Sequence, residues 1–187
     1  MRIFIIPVAL LSVMFALPGL PSRMPEAIHT RLMNSPDVPD WKQFLYEEDG
    51  FAISAPTEPG SRRGSATVGP GEVEQHFYSV SLGDDSGWMA IAYTLDPDDK
   101  RSPEIILADK RDSALESVHG KLISEMPIVL EGYLGLQVEL ESEKYRARSR
   151  YYVVGRRMYE LLSIAPMDRP IHRETDRFFR GFRLIVR

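Results

Sequence analysis

The sequence has no cysteine among its 187 residues. This absence excludes disulfides, thiol catalysis, cysteine-ligated zinc and a lipid-modified N-terminal cysteine. Hydrophobic residues make up 43% of the chain and charged residues 27%, which is ordinary for a globular protein. The chain can therefore bury a core, and that core must supply the stability that disulfides supply in many exported proteins.

Long apolar runs are also scarce, because only residues 3–17 form one. The run follows Arg2 and is shorter than the roughly 20 residues that span a bilayer, but it fits a signal peptide. We assign residues 1–20 to a signal peptide with an undefined cleavage site, since no A-x-A pattern precedes the helix-breaking Pro18 and Pro21. The alternative is an uncleaved amphipathic anchor, which would be the protein's only contact with a membrane.

Residues 21–40 contain four prolines and are interpreted as a linker. We expect residues 41–187 to form a single domain that begins at Trp41, because one domain is usual for a chain of this length. The predicted signal peptide places that domain in the periplasm or outside the cell.

The two parts of the chain differ in charge. Residues 29–143 hold 9 basic and 22 acidic side chains, a net charge of −13, whereas residues 144–187 hold 12 and 4, a net charge of +8. This asymmetry indicates either a basic binding surface or pairing of the two parts within one fold.

Period-two alternation and turn residues predict an α+β domain, an antiparallel sheet of about seven or eight strands with two helices packed on it. Residues 87–95 have two apolar faces and should form a central strand covered on both sides. Ser102, Pro103 and Glu104 are typical of a helix start, and Gly120 of the residue after a helix end. The predicted strands cover residues 50–56, 73–82, 87–95, 121–130, 133–142, 145–153, 157–165 and 182–184, the helices cover 103–118 and a segment opening at Asp168 or Arg169, and residues 57–71 form a loop.

Arginine alternates with apolar and small residues along residues 145–153. A two-residue turn at Glu143 and Lys144 pairs this strand with residues 133–142 so that apolar side chains share one face and charged side chains the other. A loop of about three residues around Gly155 then brings Glu160 near Arg150. In this register the opposite residues are Glu141 and Arg146, Glu139 and Arg148, Gln137 and Arg150, and Leu136 and Tyr151.

Five segments occur in a characteristic order: GFAISAP, ALESVHGKL, IVLEGYLGLQVELE, YRARSRYYVVGRRMYELLSI and FFRGFRL. Together they resemble small secreted bacterial proteins of the PsbP-like fold, named for an extrinsic subunit of the photosynthetic oxygen-evolving complex. The resemblance covers residues 41–184 and implies an α-β-α sandwich, with helices on both faces of the sheet, and a role in binding or assembly. It brings no catalytic residues and does not imply the photosystem role itself.

The histidines show no pattern of catalysis or metal binding. No two of His29, His76, His119 and His172 stand at metal-ligand spacing, and HExxH is absent, so we expect no metal site. His76 shares a strand face with Glu74, so it is either a ligand-binding or basic group or an ordinary half-exposed histidine. His119 fits a helix C-terminus, where the helix dipole stabilises the charged ring.

Other catalytic and cofactor motifs are missing. The sequence has no G-x-S-x-G or S-x-x-K motif and no glycine-rich phosphate loop, so we expect no cofactor. A triad assembled in space stays open. The acidic residues at 84–85 and 96–99 lack the spacing of a calcium loop and are interpreted as solvated turns.

Basic residues form the remaining candidate site. Arg146, Arg148 and Arg150, with the arginine pairs at 62–63 and 156–157, would make an anion-binding face. Their glutamate partners argue against a free basic patch, and export argues against nucleic acid. The ligand-binding candidates are therefore His76 and the three strand arginines, and we assign no catalytic residue.

Two functions follow from these observations. We expect an exported, non-catalytic domain that binds a protein partner or an extracytoplasmic ligand. The alternative is an enzyme, a hydrolase or isomerase with a site in a sheet–helix cleft. A perturbed acid or histidine in a deep pocket would favour the enzyme, and an apolar patch with a polar rim would favour the binding protein.

The first prediction concerns export. Protein isolated from its native host should lack the N-terminal apolar segment, because residues 3–17 and the proline-rich stretch after them fit a removable signal. Mass spectrometry of the intact protein measures this directly. A chain that retains Met1 and is recovered from the cytoplasm would refute export.

Overall fold

The computed structural model describes residues 40–68 and 71–185 and shows an α+β fold of ten strands and two helices. The signal peptide and nearly all of the linker lie outside the described residues. In chain order the elements are β1 (Lys42–Tyr46), β2 (Phe51–Ala55), β3 (Gly60–Val68), β4 (Gly71–Gly83), β5 (Ser86–Thr94), α1 (Pro103–Val118), β6 (Lys121–Leu130), β7 (Tyr133–Glu141), β8 (Tyr145–Val154), β9 (Arg157–Pro166), α2 (Thr175–Arg180) and β10 (Arg183–Leu184).

The strands form two antiparallel sheets. The large sheet has seven strands in the order β3-β4-β5-β9-β8-β7-β6, and the small sheet has three in the order β1-β2-β10. The predicted α+β class is confirmed, as are strands β4 to β9 to within two residues at either end. The two edges of the large sheet are β3 and β6.

Two hydrophobic cores lie on opposite faces of the large sheet. Helix α1 covers one face with Ile106 and Leu107. The small sheet and α2 cover the other face with Phe51, Phe178 and Phe182. A fully buried side chain of this size contributes about 1.5–3 kcal/mol relative to an exposed one, so the layers on both faces contribute to the stability of the fold. The central strands β5 and β9 are buried on both faces, as predicted for β5.

Helix α1 has the predicted bounds, but its C-terminus differs from the prediction. The left-handed residue is His119, with φ of 49°, and not Gly120. Gly120 is required for space instead, because a Cβ at this position would lie 2.7 Å from the carbonyl oxygen of Glu141 on β7. The chain therefore passes from α1 into β6 in close contact with the end of β7.

The predicted register between β7 and β8 is confirmed. Arg148 lies opposite Glu139, and its Nε is 2.7 Å from Glu139 Oε1. The apolar side chains of both strands face α1, whereas the arginines face α2. The remaining predicted pairs are also present: Glu141 and Arg146, Gln137 and Arg150, and Leu136 and Tyr151.

The predicted position of Glu160 is wrong. The turn between β8 and β9 contains two residues, Gly155 and Arg156, where three were predicted, so Glu160 lies opposite Tyr151. A shift of one residue moves every side chain of a strand to the other face. Glu160 therefore points to the α1 side, and its Oε2 lies 2.8 Å from Lys110 Nζ.

Three other predictions need correction. Residues 57–71 are not a loop, because β3 occupies residues 60–68 and pairs along its whole length with β4. An edge strand is held by its backbone hydrogen bonds, so its exposed glycines, serines and arginines give no alternating pattern. Strand β1 was not predicted either, and together with β3 it brings the number of strands from the predicted seven or eight to ten. Helix α2 begins at Thr175 rather than at 168 or 169, where a turn stands.

The charge asymmetry is balanced in part within the fold. Arg148 pairs with Glu139, and Arg169 pairs with Asp84. Arg157 donates to the backbone oxygen of Glu48 at 2.9 Å. Basic groups from the last quarter of the chain thus meet acidic or acceptor groups from the earlier part.

The Arg148–Glu139 pair should contribute measurably to stability. Replacement of Arg148 by alanine should lower the free energy of unfolding by about 0.2–1 kcal/mol, the range of a cross-strand charged pair. A double-mutant cycle with Glu139→Ala, measured by chemical denaturation, isolates the coupling. The matched cycle with Glu141→Ala should give additive effects, because Glu141 faces Arg146. Zero coupling between Arg148 and Glu139 would contradict the pairing.

Candidate functional site

His76, the histidine singled out from the sequence, lies in β4 between two carboxylates. Its Nδ1 is 2.9 Å from Asp49 Oδ2, and its Nε2 is 2.8 Å from Glu74 Oε1. The side chain is only 13% exposed. Both ring nitrogens are therefore engaged. The contact with Asp49 could not be predicted, because 27 residues separate the two in the chain.

Asp49 joins the turn between β1 and β2 to the large sheet. The Tyr78 hydroxyl donates to Asp49 Oδ2 at 2.6 Å, and the Tyr159 hydroxyl donates to the Asp49 backbone oxygen at 2.7 Å. The next residue, Gly50, has φ of 72°, a conformation that glycine adopts without strain. The Asp-Gly pair thus forms the turn, and two tyrosines and one histidine hold it on the sheet.

The electrostatics of this cluster favour a charged histidine. Burial acts to lower the pKa of His76, but the hydrogen bonds with Glu74 and Asp49 outweigh burial, and the pKa is raised above its usual range. The hydrogen bond with His76 lowers the pKa of Glu74. A protonated histidine bonded through both nitrogens cannot accept a proton from a substrate, so the arrangement is unsuited to general base catalysis.

Arg63 extends the cluster to the surface. Its guanidinium lies 3.0 Å from Glu74 and 2.9 Å from Glu48, and more than half of each of these side chains is exposed. Exposed pairs of this kind contribute little to stability. The inner group of His76, Asp49 and Tyr78 is therefore the part that holds β1 and β2 against the large sheet.

The three candidate arginines face α2 and are separated from His76 by β5 and β9. Each donates to groups of this same fold, so the row does not present three free guanidinium groups. Their contacts are Arg146 Nη2 to the Met167 carbonyl at 3.0 Å, Arg148 to Glu139 at 2.7 Å and Asp176 at 3.1 Å, and Arg150 to Gln137 at 2.8 Å, with the Arg150 guanidinium 4.9 Å from the centre of the Phe179 ring.

The other histidines lie apart from one another. His119 ends α1 and is exposed. His172 precedes α2 rather than lying within it, and its ring packs edge-on against Trp88 at 5.1 Å. Burial lowers the pKa of His172. His29 lies outside the described residues.

Acidic side chains in the predicted turns form ion pairs with arginines. Asp84 pairs with Arg169, and Asp99 pairs with Arg101, whose hydrogen bond lowers the pKa of Asp99 to about 2. Over residues 40–68 and 71–185 no group of three histidine, aspartate or glutamate side chains is placed to hold a metal ion. In the same ranges no helix is long and apolar enough to cross a membrane.

A cleft lies between the C-terminal half of α1 and strands β7, β8 and β9. Its volume is about 430 Å³ when the open mouth is included. No histidine lines it, and its polar lining residues are Ser117, Ser142, Tyr145, Ser149, Tyr151 and Glu160. Sequence reasoning named a sheet–helix cleft as the site of the enzyme alternative but identified none of these residues, although Glu160, the one carboxylate of β9, was a usable signal. The apolar lining consists of Ala114, Val118, Leu140, Ala147, Leu162 and Ile164.

An apolar surface lies at the outer edge of the large sheet. The described residues include seven exposed large hydrophobic side chains, and five of them lie on β6 or at the start of β7. We call these five the β6 surface. They are Leu122, Ile123, Met126, Val129 and Tyr133, and Val129 is 70% exposed. Sequence reasoning predicted strand β6 but did not show that its apolar side chains face water.

The charged state of His76 should give the protein a characteristic pH dependence. Because the folded pKa of His76 is raised, its stabilisation is complete below the unfolded pKa of about 6.5 and is lost as pH rises through the folded pKa. The unfolding free energy of the wild type, relative to His76→Gln, should therefore fall as the pH rises above about 6.5.

The matched control is His172→Gln, whose pH dependence should have the opposite sign. Burial lowers the folded pKa of His172, so the wild type should gain stability relative to this variant as pH rises. Denaturation curves across the pH range measure both differences. Parallel curves for the wild type and His76→Gln would show that the Asp49 cluster does not hold a charged histidine.

Comparisons with known proteins identify the fold. No family profile and no curated protein matches the sequence. The solution structure of cyanobacterial PsbP (CyanoP) from Synechocystis sp. PCC 6803 is similar, with a TM-score of 0.54 and 11% identity over 80% of this chain and 95% of that chain. A Pseudomonas aeruginosa protein of unknown function reaches a TM-score of only 0.33, with 12% identity over 68% of this chain and 84% of its own, which is too low to support a conclusion. The likeness to CyanoP extends to the fold alone, and this chain has a PsbP-like fold.

Proposed function

We propose that this protein is a non-catalytic binding domain that takes an extended, apolar segment of a partner protein along β6. The observation that carries the proposal is the β6 surface, which contains five of the seven exposed large apolar side chains found among the described residues. Contiguous exposed apolar side chains are typical of interaction sites, whereas single ones are ordinary.

The side chains of the β6 surface occupy both faces of the sheet. Leu122 and Val129 lie opposite Leu140 and Leu134 of β7, which face α1. Met126 lies opposite a residue on the other face, Gln137. A partner lying on one face would leave the other exposed. A segment that adds to the edge of the sheet covers both faces, so the partner binds as an additional strand.

The backbone of β6 limits which segments can bind. Pro127 stands in the middle of the strand, and a proline fits there only with its nitrogen turned away from β7, so the outer edge lacks one donor. The register also shifts between Leu122 and Ser124. Prolines and bulges on edge strands prevent indiscriminate pairing. The partner segment must therefore match β6 on both sides of Pro127 without using a donor at that position.

The titratable groups support binding without turnover. Both ring nitrogens of His76 are hydrogen-bonded, and the cleft beneath α1 is lined without a histidine. An acid or a histidine in a deep pocket is the sign expected of an enzyme. The cleft holds no histidine among its lining residues, and its one acid, Glu160, is paired with Lys110. The β6 surface is an exposed apolar patch and supports the binding role.

We place this role in the periplasm or outside the cell. The support is the apolar run at residues 3–17 with Arg2 before it, which lies outside the described residues and fits an export signal. The chain has no cysteine, so its fold does not depend on a disulfide.

Binding to β6 can be tested with a synthetic probe. The probe is a seven-residue peptide in which valine and threonine alternate between terminal lysines, titrated into the full-length protein and followed by NMR. The amides of Glu125 and Val129 should shift most. Val129→Lys should weaken binding at least about tenfold, because a buried valine contributes at least about 1.5 kcal/mol.

Two controls make this test specific. Leu45→Lys changes another exposed apolar residue, 59% accessible, on the small sheet and should leave binding intact. A peptide that is N-methylated on the residues facing β6 should not bind, because it cannot form the ladder. A peptide affinity that is unchanged in Val129→Lys would refute the proposal. So would a β6-dependent dimer in light scattering, which would make a second copy of this chain the occupant.

A further inference from the structure

We infer that the cleft beneath α1 is a second binding site, distinct from the β6 surface, for a small uncharged molecule with one hydrogen-bonding head on an apolar body. The walls, the floor and the charge balance of the cleft each contribute to this inference. Neither the fold nor the proposed function assigns a ligand to this position.

The walls determine the size and apolar character of the ligand. Side chains of α1, including Ala114 and Val118, face Leu140 and Leu162 of the sheet across the cleft. The space that water-sized groups can occupy in the cleft is about 30 Å³, and one such group needs about 10–15 Å³, so a head group of two or three heavy atoms fits. The body of the ligand then lies in the wider mouth, against the aliphatic walls.

The floor of the cleft offers an unused hydroxyl. Tyr151 is 0% exposed, and its hydroxyl oxygen makes no hydrogen bond of normal geometry among the described residues, although the Ser149 side chain lies close enough to act on it. An unpaired buried hydroxyl costs about 1–3 kcal/mol, so a ligand that pairs with it recovers this energy. Ser149, two residues earlier on the same face of β8, lines the same cleft and is 2% exposed. Two buried hydroxyls thus converge on one enclosed space.

The hydroxyl of Tyr151 can donate as well as accept. Burial, reinforced by the charge of nearby Glu160, raises the pKa of Tyr151 above its usual range, so the group stays protonated at neutral pH. An acceptor oxygen on the ligand, such as that of an alcohol, a phenol or a carbonyl, would suit this donor.

The charge balance excludes an ionic head group. Glu160 is the one carboxylate in the lining, and Lys110 Nζ lies 2.8 Å from its Oε2. Burial acts to lower the pKa of Lys110, but the carboxylate of Glu160 outweighs burial and raises it, so Lys110 stays charged beside that carboxylate. A further charge in the cleft would lack a partner and would lose its hydration. An uncharged ligand carries no such cost.

The experiment compares phenol with toluene, which have the same shape but differ in the hydroxyl group. Each is titrated into the full-length protein, and amide shifts are followed by NMR. Phenol should shift the amides around Ala147 and Leu162 and should bind about three- to tenfold more tightly than toluene, the equivalent of one hydrogen bond. In Tyr151→Phe this preference should disappear while toluene binding is unchanged.

Two further variants complete the test. Tyr152→Phe makes the same change on the opposite face of β8 and should keep the preference for phenol. Ala114→Phe fills the cleft from α1 and should abolish binding of both probes, and its melting temperature shows whether it is folded. The inference is overturned if neither probe shifts the cleft amides, if Tyr151→Phe keeps the preference, or if only ordered water occupies Tyr151 in crystals soaked with phenol. None of these results bears on the β6 peptide assay.

Discussion

The large sheet is covered on both faces, and the rest of the structure depends on this constraint. Along β5 and β9 nearly every side chain is buried, one set against α1 and the other against the small sheet and α2. Neither layer alone can shield both apolar faces from water. The chain must therefore place elements on each side, and the register of every inner strand is set by two cores at once.

A sheet that is covered on both faces must also bury some polar groups, and these groups line the cleft beneath α1. Glu160 stands in the most buried part of the sheet and needs Lys110 of α1 as a counterion. A buried ion pair of this kind is weak support for stability, because desolvation consumes most of the attraction. The pair does fix the position of α1, because removal of either partner would leave the other charge buried without a counterion. The Tyr151 hydroxyl nearby makes no hydrogen bond of normal geometry among the described residues, and it lines the cleft for which we propose a ligand.

The other face of the sheet uses its polar groups to attach the small sheet. Asp49, His76, Tyr78 and Tyr159 link the turn between β1 and β2 to β4 and β9. All of these groups are engaged with one another, so they stabilise the fold and do not present a reactive side chain. Most of the exposed apolar side chains lie elsewhere, on β6 and the start of β7, where no element of the described residues covers the edge of the sheet. A division between a saturated interior and an open edge fits a protein that binds without catalysing a reaction.

The sequence by itself determined the local structure and one long stretch of register. Alternation along residues 133–153 was sufficient to pair Glu139 with Arg148, because a single alignment satisfied both faces of the hairpin. The start of α1 and the central position of β5 followed from capping residues and from two-sided apolar character in the same way. Only the tertiary structure decided the partner of Glu160. A turn that is shorter by one residue moves every side chain of the strand to the other face of the sheet, and composition does not fix the length of a turn. Three further features could not be predicted from the sequence: strand β3, the contact of His76 with Asp49 and the exposure of β6. Each depends on which distant segment of the chain lies beside it and not on the residues themselves.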